Sequence, residues 1–188
     1  MAVLFISENV LKKSTTINGN VDVELLRPYM KVAQDVHIHP KLGTDLYNKL
    51  QSDITGSSLS GNYETLVEDY IQDALVHWTL YESIPFLGYK IMNQNIVRKT
   101  SETSENADLS ELNYLREVVR NTAEWYTERL IDYLKNNTSL FTEYSSNSGA
   151  DLSPTTQNYF SGMNLDKSKQ TRRGITLNDF LTPDISID

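Results

Sequence analysis

Few residues in this chain have types and spacings that could do chemistry. His37 and His39 stand two apart, with Asp35 beside them and His77 further along, a set that could begin a zinc or iron site. Side chains two apart on a helix point in different directions, however, and no histidine–glutamate metalloprotease spacing is present. The histidines therefore read as helix-end residues, and no metal or other cofactor is expected. Glu64, Glu68, Asp69 and Asp73 could offer an acid–base pair on one helix face, but carboxylates so spaced read more simply as a solvated face. No Gly-rich phosphate loop, nucleophile elbow or Ser/His/Asp pattern is legible, so no catalytic residue is assigned and the protein is not expected to be an enzyme. Asn136-Asn137-Thr138 matches a glycosylation sequon, but the N-terminus lacks a signal-peptide pattern and the match carries no expectation.

Composition narrows the remaining classes. A chain of 188 residues, 39% of them hydrophobic, can bury one sizeable core, and its length suggests a single domain with appendages. Without cysteine, neither disulfides nor thiolate metal sites are available. A net charge of -8 with no cluster of Lys and Arg argues against nucleic acid as an ordinary ligand. No segment approaches the ~18 consecutive apolar residues that a membrane-spanning helix needs, so a soluble protein made in the cytoplasm is expected.

The elements are organised around the stretch from Asp108 to Asn137. Leu112, Leu115, Val119, Ala123, Tyr126, Leu130, Tyr133 and Leu134 fall on one helical stripe, with Ser110 or Asp108 to cap its start. A second, narrower stripe of Tyr114, Val118 and Trp125 projects roughly 120 to 140° from the middle of the first, where a helix packed on one side would be wet. Either another helix or another subunit must cover it. Ahead of this helix, residues 1–21 read as an N-terminal arm with an extended run at Ala2–Ile6 and a turn at Asn18-Gly19-Asn20. Asp22 caps a helix that Pro28 interrupts or restarts, and His39-Pro40-Lys41-Leu42-Gly43 makes a compact turn after which Thr44 caps a further helix. Asn62 caps the next, whose apolar residues wrap most of the way round from Leu75 to Ile84 and mark it as deeply buried. Pro85 is expected to kink it, with Phe86–Ile91 as a further helical piece. Residues 93–108 are polar, with Ile96-Val97 as their apolar pair, and read as an exposed loop or hairpin arm. Beyond Asn137 the periodicity stops. Residues 138–188 read as an extended arm carrying Phe141, Tyr144, Tyr159, Phe160 and Phe180 as anchors for a partner. The expected fold is all-α: a small helical bundle over 22–137 with a long C-terminal amphipathic helix, a short extended N-terminal arm and an extended C-terminal arm.

One resemblance stands out. Thr15-Thr16-Ile17-Asn18-Gly19-Asn20-Val21-Asp22, then Pro28-Tyr29, Ala33-Gln34 and Ile38-His39-Pro40-Lys41-Leu42-Gly43-Thr44-Asp45-Leu46-Tyr47 resemble the head-to-tail connector (adaptor) ring proteins of tailed bacteriophages, most of all those of crAss-like and other Bacteroidetes-infecting phages. The similarity covers residues 15 to 137 and rests on packing and turn residues. It implies a structural subunit of the virion neck, about twelve copies closing a ring beneath the portal protein. Neighbouring neck or tail proteins would be its other partners, with DNA as passing cargo and no membrane contact. The resemblance places it in the virion, after assembly in the host cytoplasm. On this reading Tyr114, Val118, Trp125, Ile96, Val97 and the five aromatic anchors face other subunits or partners. Two other readings compete: a helix-turn-helix regulator built on the hairpin around Gly43, whose second helix offers Lys49 against Asp45 and Asp53, and a small helical phage hydrolase.

Overall fold

The computed structural model describes residues 3–17, 21–87, 108–146, 148–149 and 151–156, with the backbone of Tyr89–Ile91 and Ile96–Arg98. All of the described residues belong to one compact unit, Met1–Asn158. The fold is all-α, as the periodicities require, with one short hairpin.

The elements run α1 Glu8–Ser14, α2 Val23–Ala33, a π-helical turn Gln34–Ile38, α3 His39–Leu42 and α4 Thr44–Thr55. There follow α5 Asn62–Leu66, a second π-helical turn Val67–Ile71, α6 Gln72–Leu87, the strands β1 Tyr89–Ile91 and β2 Ile96–Arg98, α7 Leu109–Asn136, a 3-10 turn Thr138–Leu140 and α8 Thr142–Ser145. Helix α6 lies at the centre, packed against α2 on one side and α7 on the other. That position explains why its apolar residues run all the way round: Ala74, Leu75, Val76 and Trp78 are all buried. Its buried hydroxyls are satisfied within the helix, Thr79 donating to the Leu75 carbonyl at 2.7 Å and Ser83 to Leu80 at 3.0 Å. Asp22 caps α2, accepting from the Glu24 N–H. The Glu111 carboxylate accepts from the Asp108 N–H at 3.0 Å to open α7.

Several boundaries differ from the sequence reading. Pro28 and Pro85 both lie inside continuous helices, and after Leu87 the chain turns into β1 instead of starting another helix. Strand β1 pairs antiparallel with β2, Lys90 opposite Val97 and Ile91 opposite Ile96, so the expected arm begins as a hairpin. Gly43, at φ 76°, ends α3 and precedes α4, leaving Thr44 as the first helical residue rather than the cap. Gly61 holds the same place before Asn62.

The two arms need the larger correction. Residues 8–14 are helical, and Phe5, Ile6 and Leu11 are buried in the core, so the first residues complete the bundle. At the other end the core does not stop at Asn137: Phe141 and Tyr144 are buried in it. Their three-residue spacing puts both on the inner side of the short turns after α7, where Phe141 packs edge-on against Tyr63 and Tyr133. The Asn18-Gly19-Asn20 turn lies outside the described residues.

Candidate functional site

The residues expected at an interface separate into four groups. Tyr114, Val118 and Trp125 share one flank of α7 and remain 68%, 45% and 58% exposed. Phe141 and Tyr144 are internal, which removes them as partner anchors. Ile96 and Val97 sit in β2, known here through its backbone. Tyr159, Phe160 and Phe180 lie outside the described residues.

Helix α7 places the exposed group because only its other side is used by the bundle. Ala123, Thr127, Leu130, Ile131 and Leu134 are buried toward α6 and its preceding π turn. The Thr127 hydroxyl accepts from the Trp78 indole N–H at 2.8 Å and donates to the Ala123 carbonyl, fixing the rotation of one helix on the other. Arg129 reinforces it, its guanidinium 4.5 Å from the Tyr70 ring centroid and 3.3 Å from the Asp73 carboxylate. With that rotation set, Tyr114, Val118 and Trp125 have to point away from the core. Between Glu111 and Glu128 this flank carries no charged side chain, as Asn121 and Thr122 complete it. Beside it, a cavity of about 320 Å³ opens between α6, α7 and the segment before α2, lined by Leu80, Ile84, Leu87, Leu115, Val119 and Ile17. Leu115 is half exposed and joins the cavity to the aromatic flank.

The histidines are absorbed into packing. His37 stacks on Trp78 with ring centroids 3.7 Å apart, and its Nε2 lies 2.9 Å from a Glu82 oxygen. Burial holds its pKa below the usual imidazole value against the pull of Glu82, so at neutral pH the uncharged ring donates to the carboxylate. His77 stacks on Tyr126, and burial lowers its pKa too. Among the described residues no three His, Asp or Glu side chains come together as metal ligands would. The acidic set divides as well: Asp73 pairs with Arg129, while Glu64 and Glu68 are exposed.

The turn at Ile38–Asp45 proves to be a seat for the chain's own C-terminal segment. Thr44 N–H donates to the Leu152 carbonyl at 2.9 Å, and Thr155 N–H to the Pro40 carbonyl at 2.8 Å. The Thr44 hydroxyl donates to Asp151 and accepts from the Leu152 N–H, which leaves His39 Nε2, 3.0 Å away, to act as a donor. Ser148 caps the set through Asp45. Pro154 lies directly over Gly43: a Cβ there would come within 2.6 Å of the Pro154 ring. Turn and strap are therefore one structure, closed by residues more than a hundred positions apart.

The chain belongs to DUF6712, a family of unknown function. The match runs over residues 38–153, more than half of the chain. It opens at the turn and ends within the C-terminal segment, so the family's span includes the Thr44–Leu152 contact and α4 to α8 but stops short of Pro154 and Thr155. The core residues Phe5, Ile6 and Leu11 fall outside the family's span, although they complete the same bundle. No curated protein and no solved structure shows significant similarity to this chain.

Sequence reasoning missed two parts of this arrangement. The N-terminal segment docks through glutamines: Gln34, fully buried, accepts from the Phe5 N–H at 2.8 Å and donates to the Val3 carbonyl and the Tyr47 hydroxyl, while Gln72 donates to the Phe5 carbonyl. The strap of residues 148–155 on Gly43 was likewise invisible, because its partners lie more than a hundred positions apart and two of its bonds join backbone groups.

Proposed function

We propose that the protein is a ring-forming structural subunit of the head-to-tail connector of a tailed bacteriophage. One observation supports this most: an uncharged aromatic flank, Tyr114, Val118 and Trp125, stands exposed on a helix whose opposite side is fully used by the core. Exposed aromatics at that spacing suit a protein interface, where Trp and Tyr supply large contact area at low entropic cost. The likeness of the turn and hairpin residues to connector proteins supplies the setting: a closed ring beneath the portal that holds neighbouring neck or tail proteins and lets DNA pass. An overall charge of -8 suits a conduit that must not grip phosphates. No helix among the described residues is long and apolar enough to cross a membrane.

The helix-turn-helix reading loses support in α4, where the Lys49 ammonium is engaged by the Asp53 carboxylate at 2.7 Å and is not free for a phosphate. Light scattering and electron microscopy of the purified full chain, with and without duplex DNA, test the proposal. Closed oligomers indifferent to DNA are expected. A chain that stays monomeric at every concentration and shifts on adding duplex would overturn the connector reading in favour of the regulator.

A further inference from the structure

We infer that the turn at Ile38–Asp45 is a receptor for a short Leu-Ser/Thr-Pro segment, filled at rest by the chain's own strap and able to take Leu181-Thr182-Pro183 of a second copy in its place. The strap seated there is Leu152-Ser153-Pro154-Thr155, and the sequence carries the same pattern once more, at Leu181-Thr182-Pro183-Asp184. Of the five prolines in the chain, only Pro154 and Pro183 follow a leucine and a hydroxyl residue. The seat lies on the turn between α3 and α4, not on the α7 flank, so this contact stands or falls apart from the ring-forming reading.

The seat reads backbone groups and a proline ring more than side chains. Thr44 donates its N–H to the Leu152 carbonyl at 2.9 Å and accepts the Leu152 N–H on its hydroxyl at 3.0 Å, while the Pro40 carbonyl accepts from the Thr155 N–H at 2.8 Å. Between these contacts the Pro154 ring covers Gly43, where a Cβ would come within 2.6 Å of it. Any Leu-Ser/Thr-Pro segment offers that set: two backbone groups at the leucine, a ring two residues on and an N–H after it. A proline fixes its own φ and biases the residue before it toward extended backbone, so such a segment is part-way to the bound conformation before it binds. Leu181–Asp184 does without the Asp151 carboxylate, which accepts from the Thr44 hydroxyl, and without the Thr155 and Ser148 hydroxyls, which donate to Pro40 and Asp45. In the same register Phe180 and Ile185 stand where the strap has Asp151 and Thr156.

The strap is held by contacts that a competitor can replace. Asp151, Leu152, Ser153, Thr155 and Thr156 are all exposed, so its bonds to the turn are open to water and little apolar area is buried with them. On its own chain, an exchange would only substitute one segment for another with fewer polar contacts. On a second copy it adds a link between chains. The 24 residues between Thr156 and Leu181 can span up to ~80 Å, about twice the width of a domain of this length.

A labelled peptide of residues 177–188, titrated into the full chain and followed by polarisation, tests the seat. Every protein in the titration carries Pro183→Ala, so that its own tail does not compete. Adding Pro154→Ala, which takes the ring off Gly43, should tighten peptide binding by about tenfold or more, because the seat is no longer filled. Adding Gly43→Ala loosens the strap as well but puts a methyl group where the incoming proline must lie, and binding should be lost. Thr44→Val, which removes the hydroxyl that meets the leucine N–H, gives the same test should Gly43→Ala fold poorly by circular dichroism. No tightening with Pro154→Ala, equal binding by the Gly43→Ala and Thr44→Val chains, or equal binding of a peptide carrying Pro183→Ala would each overturn the receptor. With the tail restored, the Pro154→Ala chain should associate more strongly in sedimentation than the chain with both Pro154→Ala and Pro183→Ala; equal association overturns the assignment to a second copy. Ring formation is read separately, from the mass of the wild type.

Discussion

Replacing Gly43 with alanine probes the contact on which the turn and the strap both depend. Gly43 sits at φ 76° and ψ 158°, a region that side chains with a Cβ scarcely enter, and holding a non-glycine residue there costs about 1 to 3 kcal/mol. A second effect adds to it, since the new methyl would lie 2.6 and 2.7 Å from two ring carbons of Pro154. The strap must lift, and the bonds from Thr44 to Leu152 and from Thr155 to Pro40 are stretched or lost, at about 1 kcal/mol for each. The sum is about 3 to 5 kcal/mol if both bonds are lost. For a chain of this size that lowers the melting temperature by about 2 to 4 °C per kcal/mol. Thermal denaturation measures the total, and amide exchange at Thr44 and Thr155 reports on the strap itself. Pro154→Ala separates the two effects: in the double variant the clash is largely relieved and the backbone strain persists, so the pair should be less destabilised than the sum of the single changes. Unchanged melting together with unchanged protection of Thr44 and Thr155 would refute the reasoning, because neither the strain nor the contact would then hold the strap.

Three further outcomes follow from the same geometry. Trp125→Glu should leave melting within about 0.5 kcal/mol of wild type while weakening self-association by about 2 kcal/mol or more, read by sedimentation; a large drop in melting instead would place Trp125 in the core. Truncation to residues 15–137 removes Phe5, Ile6, Leu11, Phe141 and Tyr144 and should abolish the cooperative transition in circular dichroism, while Phe141→Ala alone should cost about 3 to 5 kcal/mol. Burial lowers the pKa of both His37 and His77 in the folded chain, so the unfolded chain takes up protons first as pH falls below about 6.5, and stability should decline from neutral pH toward pH 5. His37→Gln should flatten that slope; burial raises Asp73, which acts in the opposite sense but only in the carboxylate range.

Much of the bundle was legible because its helices announce themselves by period and by caps. The stripe through Ala123, Leu130 and Leu134 is the buried side of α7, and Asp22 and Asp108 stand where their side chains and position suggest. Helix α1 had a readable signature as well, with Ser7 as cap, Glu8 in the first turn and Lys12 and Lys13 in the last, but seven residues are too few for periodicity to stand out. Phe141 and Tyr144 misled for a different reason. Polar neighbours make a segment look unable to form a core of its own, and it need not do so when α4, α5 and α7 already supply one. The strap was beyond reach of sequence alone, because backbone groups and common Thr, Ser and Asp side chains pair residues 40–45 with 148–155 at separations over which no local spacing pattern forms. Gly43 hinted at a turn, yet its closest constraint is Pro154, far along the chain.

The exposed flank of α7 makes sense against the different way α6 spends its surface. Helix α6 is apolar most of the way round and its first half is covered most of the way round, by α2, α7 and the N-terminal residues, so there its composition and its surroundings agree. Helix α7 is peripheral and needs only one apolar stripe to hold its place, and the Thr127–Trp78 bond fixes which one. Tyr114, Val118 and Trp125 are therefore surplus to the fold of a single copy. A large aromatic left in water forgoes the burial of about 150 to 250 Å² that it would gain inside an interface, and it adds a site for unwanted association. Its position on the longest helix of the bundle, with no charged side chain on that same flank between Glu111 and Glu128 to oppose close approach, turns that surplus into a surface that a neighbouring copy can use without first ordering it.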